Sequence, residues 1–252
     1  MSKNLPRTLA LAVTGLFLLY PLWGLASPVG HWQWAAADTG SALTTSFALT
    51  GVALVIVVAI GTPLAFSLRG ASRGVRIAFE ATVLLSVLMP PLALGLLLAL
   101  AFGPGTALGS LLLRLGIPTS NDATAFVVTQ IYASLGYYLL GAAAAFDAVP
   151  RELERAAALL GLKPHEILWR VTLPLARLGL AAAVSLAWVR ALGEFGAIMV
   201  TAYYPHGIPV QLWVDLQDSG LPAVLPLLLV FLLSALPLPW ALRILARTRN
   251  HA

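Results

Sequence analysis

Apolar residues follow one another in six long runs, and polar residues collect in the segments that separate them. The runs cover about residues 8–27, 42–68, 78–103, 124–148, 178–203 and 221–245. A helix needs roughly 20 apolar residues to cross the hydrocarbon core of a bilayer, and its backbone groups must be hydrogen-bonded within the segment. The pattern therefore predicts six transmembrane helices in an all-α membrane protein, with residues 1–252 forming a single transmembrane domain.

The overall composition supports a membrane protein. Only 10% of the 252 residues are charged and the mean hydropathy is +0.90, whereas a soluble domain carries about 25% charged residues. The chain has no cysteine, which excludes disulfides, thiolate metal sites and a cysteine nucleophile. The net charge of +5 is typical of some nucleic-acid-binding proteins. Here the basic residues lie at the ends of the apolar runs instead of in one patch, so we expect no nucleic-acid partner.

The positions of the basic residues orient the chain. If six spans alternate, all but two of the 15 Lys and Arg residues fall on the side that holds both termini. The two exceptions are Arg114, in an opposite loop, and Arg190, inside a run. Because loops rich in Lys and Arg stay in the cytoplasm, we expect both termini there. The chain would be a multi-pass protein of a bacterial or archaeal plasma (inner) membrane.

The first apolar run has a second interpretation. Lys3 and Arg7 precede it and Leu25-Ala26-Ser27 closes it, as in a cleaved signal peptide. The run is long for the apolar part of such a peptide, so we favour a retained span. Trp23, Trp32 and Trp34 would then lie at the outer membrane interface, where aromatic residues are enriched.

The segment 149–177 differs from the rest because charged residues crowd an amphipathic stretch there. Its apolar positions recur at helical spacing and form one stripe: Leu153, Ala156, Ala157 and Leu160. Gly161 is a natural helix stop, and Pro164 suits the first turn of a second short helix that ends at Val171. Two interpretations fit this pattern: a loop that lies on the lipid headgroups, or an element that docks on a cytoplasmic partner.

The same segment resembles the EAA loop of binding-protein-dependent ABC importer permeases, which reads Glu-Ala-Ala, three residues, Gly, nine residues, Ile-x-Leu-Pro. The matching positions are Ala156, Ala157, Gly161, Val171, Leu173 and Pro174. Arg155 replaces the Glu, with Glu154 directly before it, and Val171 replaces the Ile. In that family the loop docks on the ATP-hydrolysing subunit. The resemblance implies an ATPase-coupling role for Glu154, Arg155, Ala156, Ala157, Gly161, Leu162, Lys163, Pro164, His165, Val171, Leu173 and Pro174.

The resemblance extends over most of the chain. Gly61-Thr62-Pro63-Leu64-Ala65 resembles the second core helix of the family, and Leu88-Met89-Pro90-Pro91 with Gly95 resembles the third. Residues 190–197, Arg-Ala-Leu-Gly-Glu-Phe-Gly-Ala, are similar to the molybdate and sulfate branch. That branch usually has a Gly-Arg-Thr type stretch in the last outer loop, and here residues 204–209 read Tyr-Pro-His-Gly-Ile-Pro instead.

The resemblance implies the transmembrane domain of a type I ABC importer. Its solute would be an oxyanion such as molybdate, tungstate or sulfate, or, in another branch, phosphonate, thiamine, iron or a polyamine. The implied partners are a cytoplasmic ABC ATPase dimer, a second permease copy or a sister permease, and an extracytoplasmic solute-binding protein. No GxxxxGK[ST] loop occurs in the sequence. We therefore expect a transport subunit that is not itself an enzyme and binds no cofactor, with ATP and Mg on the partner.

Two other function classes fit less well. An ion-coupled secondary transporter should have several acidic residues within the membrane, and Glu194 is the one acid in the middle of a run. A membrane-embedded enzyme needs a catalytic constellation, and all four histidines lie outside the runs. His206, in the outer loop, has no partner at ligand spacing, so we expect no metal site.

Arg190 and Glu194 are the two ionisable residues deep within the fifth run, where a charge costs at least about 2.5–3.5 kcal/mol. Their i, i+4 spacing places them on one helix face. One interpretation is that they line the pathway or brace its gate, and the alternative is an ion pair that only fixes packing; we favour the first. Pro90 and Pro91 remove two backbone donors and should kink or break the third helix. The candidate pathway and gate residues are Arg190, Gly193, Glu194, Phe195, Gly196, Pro90 and Pro91.

Overall fold

A computed structural model describes residues 5–26 and 39–248, and within these ranges the chain is helical without strands. The helices are α1 (Leu5–Leu19), α2 (Thr39–Ser67), α3 (Arg73–Leu88), α4 (Pro91–Phe102), α5 (Ala107–Arg114), α6 (Ala123–Asp147), α7 (Arg151–Leu159), α8 (Pro164–Ile167), α9 (Leu173–Leu192), α10 (Ile198–Thr201), α11 (Ile208–Ser219), α12 (Leu221–Ala235) and α13 (Pro237–Thr248). Turns of 3-10 helix cover Tyr20–Ala26 and Leu68–Gly70, and a π-turn covers Leu168–Thr172. The all-α prediction is confirmed. Trp32 and Trp34, predicted at the outer interface, lie outside the described residues.

Five helical stretches of the described chain are long and apolar enough to cross a membrane. They are Thr8–Leu25, Thr39–Gly70, Ala123–Asp147, Pro164–Leu192 and Leu221–Leu242. The pair α3 and α4 makes a sixth if it is counted as one span, although its two halves are bent by 109°. The structure therefore has five or six candidate spans, in the places where the sequence predicted six.

Three of the predicted spans are interrupted. The sixth, over residues 221–245, has a break of one residue at Leu236, between α12 and α13. The third, over residues 78–103, breaks at Met89 and Pro90, where two prolines without N–H groups cannot continue the hydrogen-bond ladder. This break was expected from the sequence and is confirmed. The fifth, over residues 178–203, was predicted to be unbroken, which is wrong: α9 ends at Leu192 and helix resumes only in α10. Gly193 and Gly196 lie in this gap, where low helix propensity favours an end.

The cytoplasmic segment also joins the fifth span more closely than predicted. The second short helix was expected to end at Val171, separate from the membrane helix. Instead α8, the π-turn and α9 run on as one helical stretch from Pro164 to Leu192. Two outer connections that the sequence left as loops contain the helices α5 and α11.

The centre of the bundle is α6, which packs against α2, α3 and α9. Tyr138 and Phe146 of α6 are almost fully buried. Small residues let α6 and α9 approach closely: a Cβ on Gly179 would lie 2.5 Å from the Cβ of Ala145. Close contact through small residues is the usual way in which membrane helices associate. By contrast, none of the window Thr8–Leu25 in α1 is buried.

Candidate functional site

The cytoplasmic segment folds as a helical hairpin, which we call the docking hairpin (residues 151–172). Its first arm is α7, its turn contains Gly161, and its second arm is α8 with the π-turn. Gly161 has φ +87°, a left-handed conformation that glycine adopts without strain, so the predicted helix stop is confirmed. At the start of α8 the carboxylate of Glu166 accepts a hydrogen bond from the backbone N–H of Lys163 at 2.9 Å, which closes the first turn.

The predicted apolar stripe of the hairpin does not stay together. Ala157 packs inward with 7% exposure, whereas Leu153 is 47% exposed. Leu159 and Leu160, directly before the turn, are 90% and 82% exposed. The hairpin therefore presents two leucines at its turn, which a water-exposed loop would normally keep covered.

The charged residues of the hairpin divide by direction. Arg155, Lys163 and His165 are exposed. Glu154 instead turns towards the bundle, where its Oε1 accepts hydrogen bonds from Arg69 and Thr172. Of the charged residues predicted to face the ATPase, Arg155, Lys163 and His165 thus point outward and Glu154 points inward. The sequence pattern did not predict the partners of Glu154.

The second group of candidate residues lies where the broken third and fifth spans cross. Gly95 of α4 contacts the gap between α9 and α10, because a Cβ there would lie 2.8 Å from the Cα of Ala197. Gly196 is similarly close to Pro91: its Cβ would lie 2.8 Å from that proline's Cβ. The structure therefore brings Pro91 and Gly196 into contact. Larger residues at either glycine would separate the two breaks.

Glu194 closes the gap between α9 and α10. It is fully buried; its Oε2 pairs with Nη1 of Arg190, and its Oε1 accepts a hydrogen bond from the backbone N–H of Ala197 at 2.8 Å. Glu194 thereby satisfies the backbone donor of the residue directly before α10. The Arg190 guanidinium also lies 5.7 Å from the ring centroid of Tyr137, within the range of a cation–π contact.

Gln130 is a site residue that sequence reasoning missed. It is 1% exposed on α6, and its Nε2 donates to Oγ1 of Thr50 at 2.8 Å and to the carbonyl of Ala191 at 3.0 Å. The second bond adds to the hydrogen bond that the Ala191 carbonyl accepts from the backbone N–H of Glu194 at 3.1 Å. A glutamine inside an apolar run was the available signal, since buried polar groups in membranes need partners.

Phe195 is the remaining candidate at the crossing, and it faces the outer side. Its ring lies 5.9 Å from that of Trp213 on α11, measured between centroids. Nearby, His206 bonds Gln211 at 3.0 Å, and Gln211 donates to Asp215 at 2.8 Å. The outer loop is thus held by side-chain hydrogen bonds and lies against Phe195.

The sequence profile of one family matches this chain over residues 58–251; the family is described as the inner membrane component of binding-protein-dependent transport systems. The matched range contains the docking hairpin and the broken third and fifth spans. The chain belongs to this family. The permease resemblance seen in the EAA-like segment and in residues 190–197 is thereby confirmed.

Curated relatives of the permease carry transport names. One relative is a protein of Haloferax volcanii described as a probable molybdenum ABC transporter permease. The two sequences are 36% identical over 91% of the permease and 88% of that relative. The permease is 34% identical to the molybdenum transport system permease protein ModB of Mycobacterium tuberculosis, over 90% of each chain. Such relatives place the permease in the branch that the sequence pointed to.

Solved structures share the fold of the permease. A chain of a bacterial alginate ABC transporter in complex with its periplasmic protein superposes with a TM-score of 0.73 at 17% identity, over 97% of the permease and 94% of that chain. A chain of the MetNI methionine ABC transporter superposes with a TM-score of 0.65 at 17% identity, over 82% and 94%. The permease therefore has the transmembrane fold of type I ABC importers and is a multi-pass protein of the inner membrane.

Proposed function

We propose that the permease forms the membrane passage of an ATP-driven importer for an oxyanion of the molybdate, tungstate or sulfate class. The observation that carries the solute class is the match to molybdenum permeases over nine-tenths of the chain. A relative named as a molybdate/tungstate permease, from Thermococcus kodakarensis, matches 83% of the chain at 25% identity. The energy comes from ATP and Mg held by a separate ATPase, and the solute arrives on an extracytoplasmic binding protein.

The docking hairpin is the surface for the ATPase. Leu159 and Leu160 supply an apolar contact, and exposed cations, including Arg155 and Lys163, surround it. Helices of this kind bind by inserting an apolar face into a groove of the partner. An apolar groove bordered by acidic groups is therefore the complementary surface on the ATPase.

The passage lies on the face that carries the broken-helix crossing, between this chain and a second permease. Side chains of α6 fill the middle of the bundle, so the space for a solute is at its surface. Pro90, Pro91 and Gly193 are exposed on that surface, and the Arg190 side chain keeps 21% exposure. A charge at this depth needs water or another chain beside it, and a passage enclosed by two permeases supplies both.

Ion-coupled transport is less well supported. Glu80 and Asp147, the acids nearest the cytoplasmic ends of the spans, both pair with Arg76; its Nε donates to Oε1 of Glu80 at 2.7 Å. Glu194 is paired with Arg190. Each of these three acids is thus occupied in an ion pair within the permease.

Uptake into liposomes tests the proposal. The permease is reconstituted with the ATPase and the binding protein of its own organism, and labelled molybdate is supplied outside. We expect uptake that requires ATP and all three components and is inhibited by excess tungstate. Uptake by the permease without an ATPase would refute the driven mechanism. ATP-dependent transport of another solute, with no binding of oxyanions to the binding protein, would refute the solute class alone.

A further inference from the structure

Glu154 differs from the other charged residues of the docking hairpin because it is bonded to the membrane bundle. Its Oε1 accepts a hydrogen bond from Nη1 of Arg69 at 2.5 Å and another from Oγ1 of Thr172 at 2.6 Å. The Arg69 side chain is 8% exposed, that of Glu154 is 22% exposed, and Thr172 is fully buried. A carboxylate with two such partners in a largely dry place is held in one position.

Arg69 ties the end of α2 to the hairpin by further bonds. Its Nη2 donates to the carbonyl of Val149 at 2.9 Å, just before α7. In return Nη2 of Arg151 donates to the carbonyl of Arg69 at 2.7 Å. Charged donors make these bonds stronger than neutral ones. Two of these bonds therefore join the end of α2 to the first arm of the hairpin, and a third joins it to the chain just before that arm.

Thr172 connects the same carboxylate to the fifth span. It is the last residue of the π-turn, and α9 begins at the next residue. Turns of π-helix are rare in proteins, and those that occur are often found at functional sites. One carboxylate oxygen thus links the hairpin, the end of α2 and the start of α9, and we call these three side chains (Arg69, Glu154 and Thr172) the carboxylate joint.

We propose that Glu154 is a positioning residue that passes movement of the docking hairpin to α2 and α9 together, and that it does not contact the ATPase. The proposal rests on the proposed function of the hairpin. A hairpin fixed at the carboxylate joint cannot shift without carrying both helices. A hairpin released from it stays continuous with α9 through its second arm but no longer holds the end of α2. Movement then reaches the fifth span without α2, so less solute is transported for each ATP hydrolysed. Arg155, the neighbour that is exposed, remains on the side of the partner.

The first test compares Glu154 with an exposed charged residue outside the docking hairpin. Glu154→Ala removes the carboxylate joint, and Arg73→Ala removes an exposed charge at the start of α3 as the control. Each variant is assembled with the ATPase and reconstituted, and molybdate transported per ATP hydrolysed is measured. We expect both variants to co-purify with the ATPase and to hydrolyse ATP. The ratio should fall at least about fivefold for Glu154→Ala, the lower end of typical coupling between sites, and stay unchanged for Arg73→Ala.

A milder change and a chemical rescue separate positioning from folding. Thr172→Val keeps the shape of the side chain and removes one hydrogen bond, so the ratio should fall by a smaller factor. The chain has no cysteine, so in Arg69→Cys with Glu154→Cys the pair supplies the only thiols of the permease. With an ATPase free of reactive thiols, a bifunctional thiol reagent should raise the ratio again towards the unmodified protein. A defect of folding alone would lower the yield of assembled transporter and would not respond to the reagent.

The outcomes are distinct. An unchanged ratio in Glu154→Ala, with normal assembly, overturns the proposal. Loss of ATPase binding in Glu154→Ala alone makes Glu154 a contact residue and also overturns it, while the docking role of the hairpin stands. If Glu154→Ala fails to fold, an unchanged ratio in Thr172→Val overturns it instead. Failure of the unmodified permease to use an ATPase at all refutes the proposed function, independently of any variant.

Discussion

The ion pair of Arg190 and Glu194 allows a quantitative prediction at the crossing. Glu194→Gln keeps an oxygen for the N–H of Ala197 but removes the negative charge beside the guanidinium. Glu194 is fully buried and the Arg190 side chain is 21% exposed. The arginine would therefore keep its positive charge in a mostly dry site without a counter-charge.

The expected cost follows from the burial. Removing one partner of a fully buried ion pair costs about 3–5 kcal/mol. Because water reaches part of Arg190, we expect Glu194→Gln to lower the free energy of unfolding by about 2–3 kcal/mol. Arg190→Gln with Glu194→Gln leaves no unpaired charge, so the double variant should cost less than the sum of the single variants by at least about 1 kcal/mol.

Denaturant titrations in mixed micelles measure this cycle. The apparent free energy of unfolding is compared among the parent, the two single variants and the double variant. Arg114→Gln, which removes an exposed arginine at the end of α5, serves as the control and should change the free energy by less than about 0.5 kcal/mol. If the double variant equals the sum of the single variants within about 0.5 kcal/mol, the pair does not stabilise the fold as argued.

The reversed pair gives a sharper expectation. In Arg190→Glu with Glu194→Arg the two charges are exchanged, and a simple ion pair would survive. Residue 194 has a second role, because the Oε1 of Glu194 also accepts a hydrogen bond from the backbone N–H of Ala197 at 2.8 Å. An arginine has no acceptor, so we expect the exchanged variant to remain as unstable as Glu194→Gln and to transport poorly. Full recovery of stability would show that the hydrogen bond from the N–H of Ala197 to residue 194 contributes little to the free energy of unfolding.

Three further changes test other parts of the structure. Gly179→Val should lower the free energy of unfolding by about 1–3 kcal/mol, because its Cβ would lie 2.5 Å from that of Ala145. Gly51→Ala, in the interior of α2, adds a Cβ that meets nothing within 4 Å, so in the same titration it should raise the free energy of unfolding by up to about 1 kcal/mol. Gly161→Val should strain the turn at φ +87° and reduce transport per ATP, whereas Gly161→Asn, which tolerates this conformation, should retain most of it. Leu159→Glu should weaken co-purification with the ATPase without changing stability, since this side chain is 90% exposed.

Local rules predicted the features that local chemistry decides. Two prolines without N–H groups broke the third span at the expected residues, and Gly161 ended α7 by its backbone conformation. The number of spans followed from hydropathy, because the bilayer sets the length of each apolar run. These features depend on neighbours in sequence.

Features that depend on tertiary partners were not predicted from the sequence. In the gap after Leu192 the Glu194 carboxylate accepts the N–H of Ala197, and Gln130 of α6 adds a hydrogen bond to the Ala191 carbonyl from another helix. Glu154 was grouped with the ATPase-facing residues because the EAA-like pattern runs along one segment. Its partner Arg69 is 85 residues away in sequence, and no periodicity connects the two.

The fifth span joins both functional regions of the permease. At its cytoplasmic end Thr172 is held by Glu154, and at its outer end Arg190 is held by Glu194. A helix of 20 residues, the length of α9, is about 30 Å long at 1.5 Å per residue. α9 packs closely on α6 through Gly141 and Gly179. Bending α9 would open this packed contact, so the movement that costs least is for α9 to slide or tilt as a unit. Displacement at the docking hairpin would therefore reach the broken-helix crossing directly, where the gap before α10 allows the far end to move without unwinding the rest of the helix.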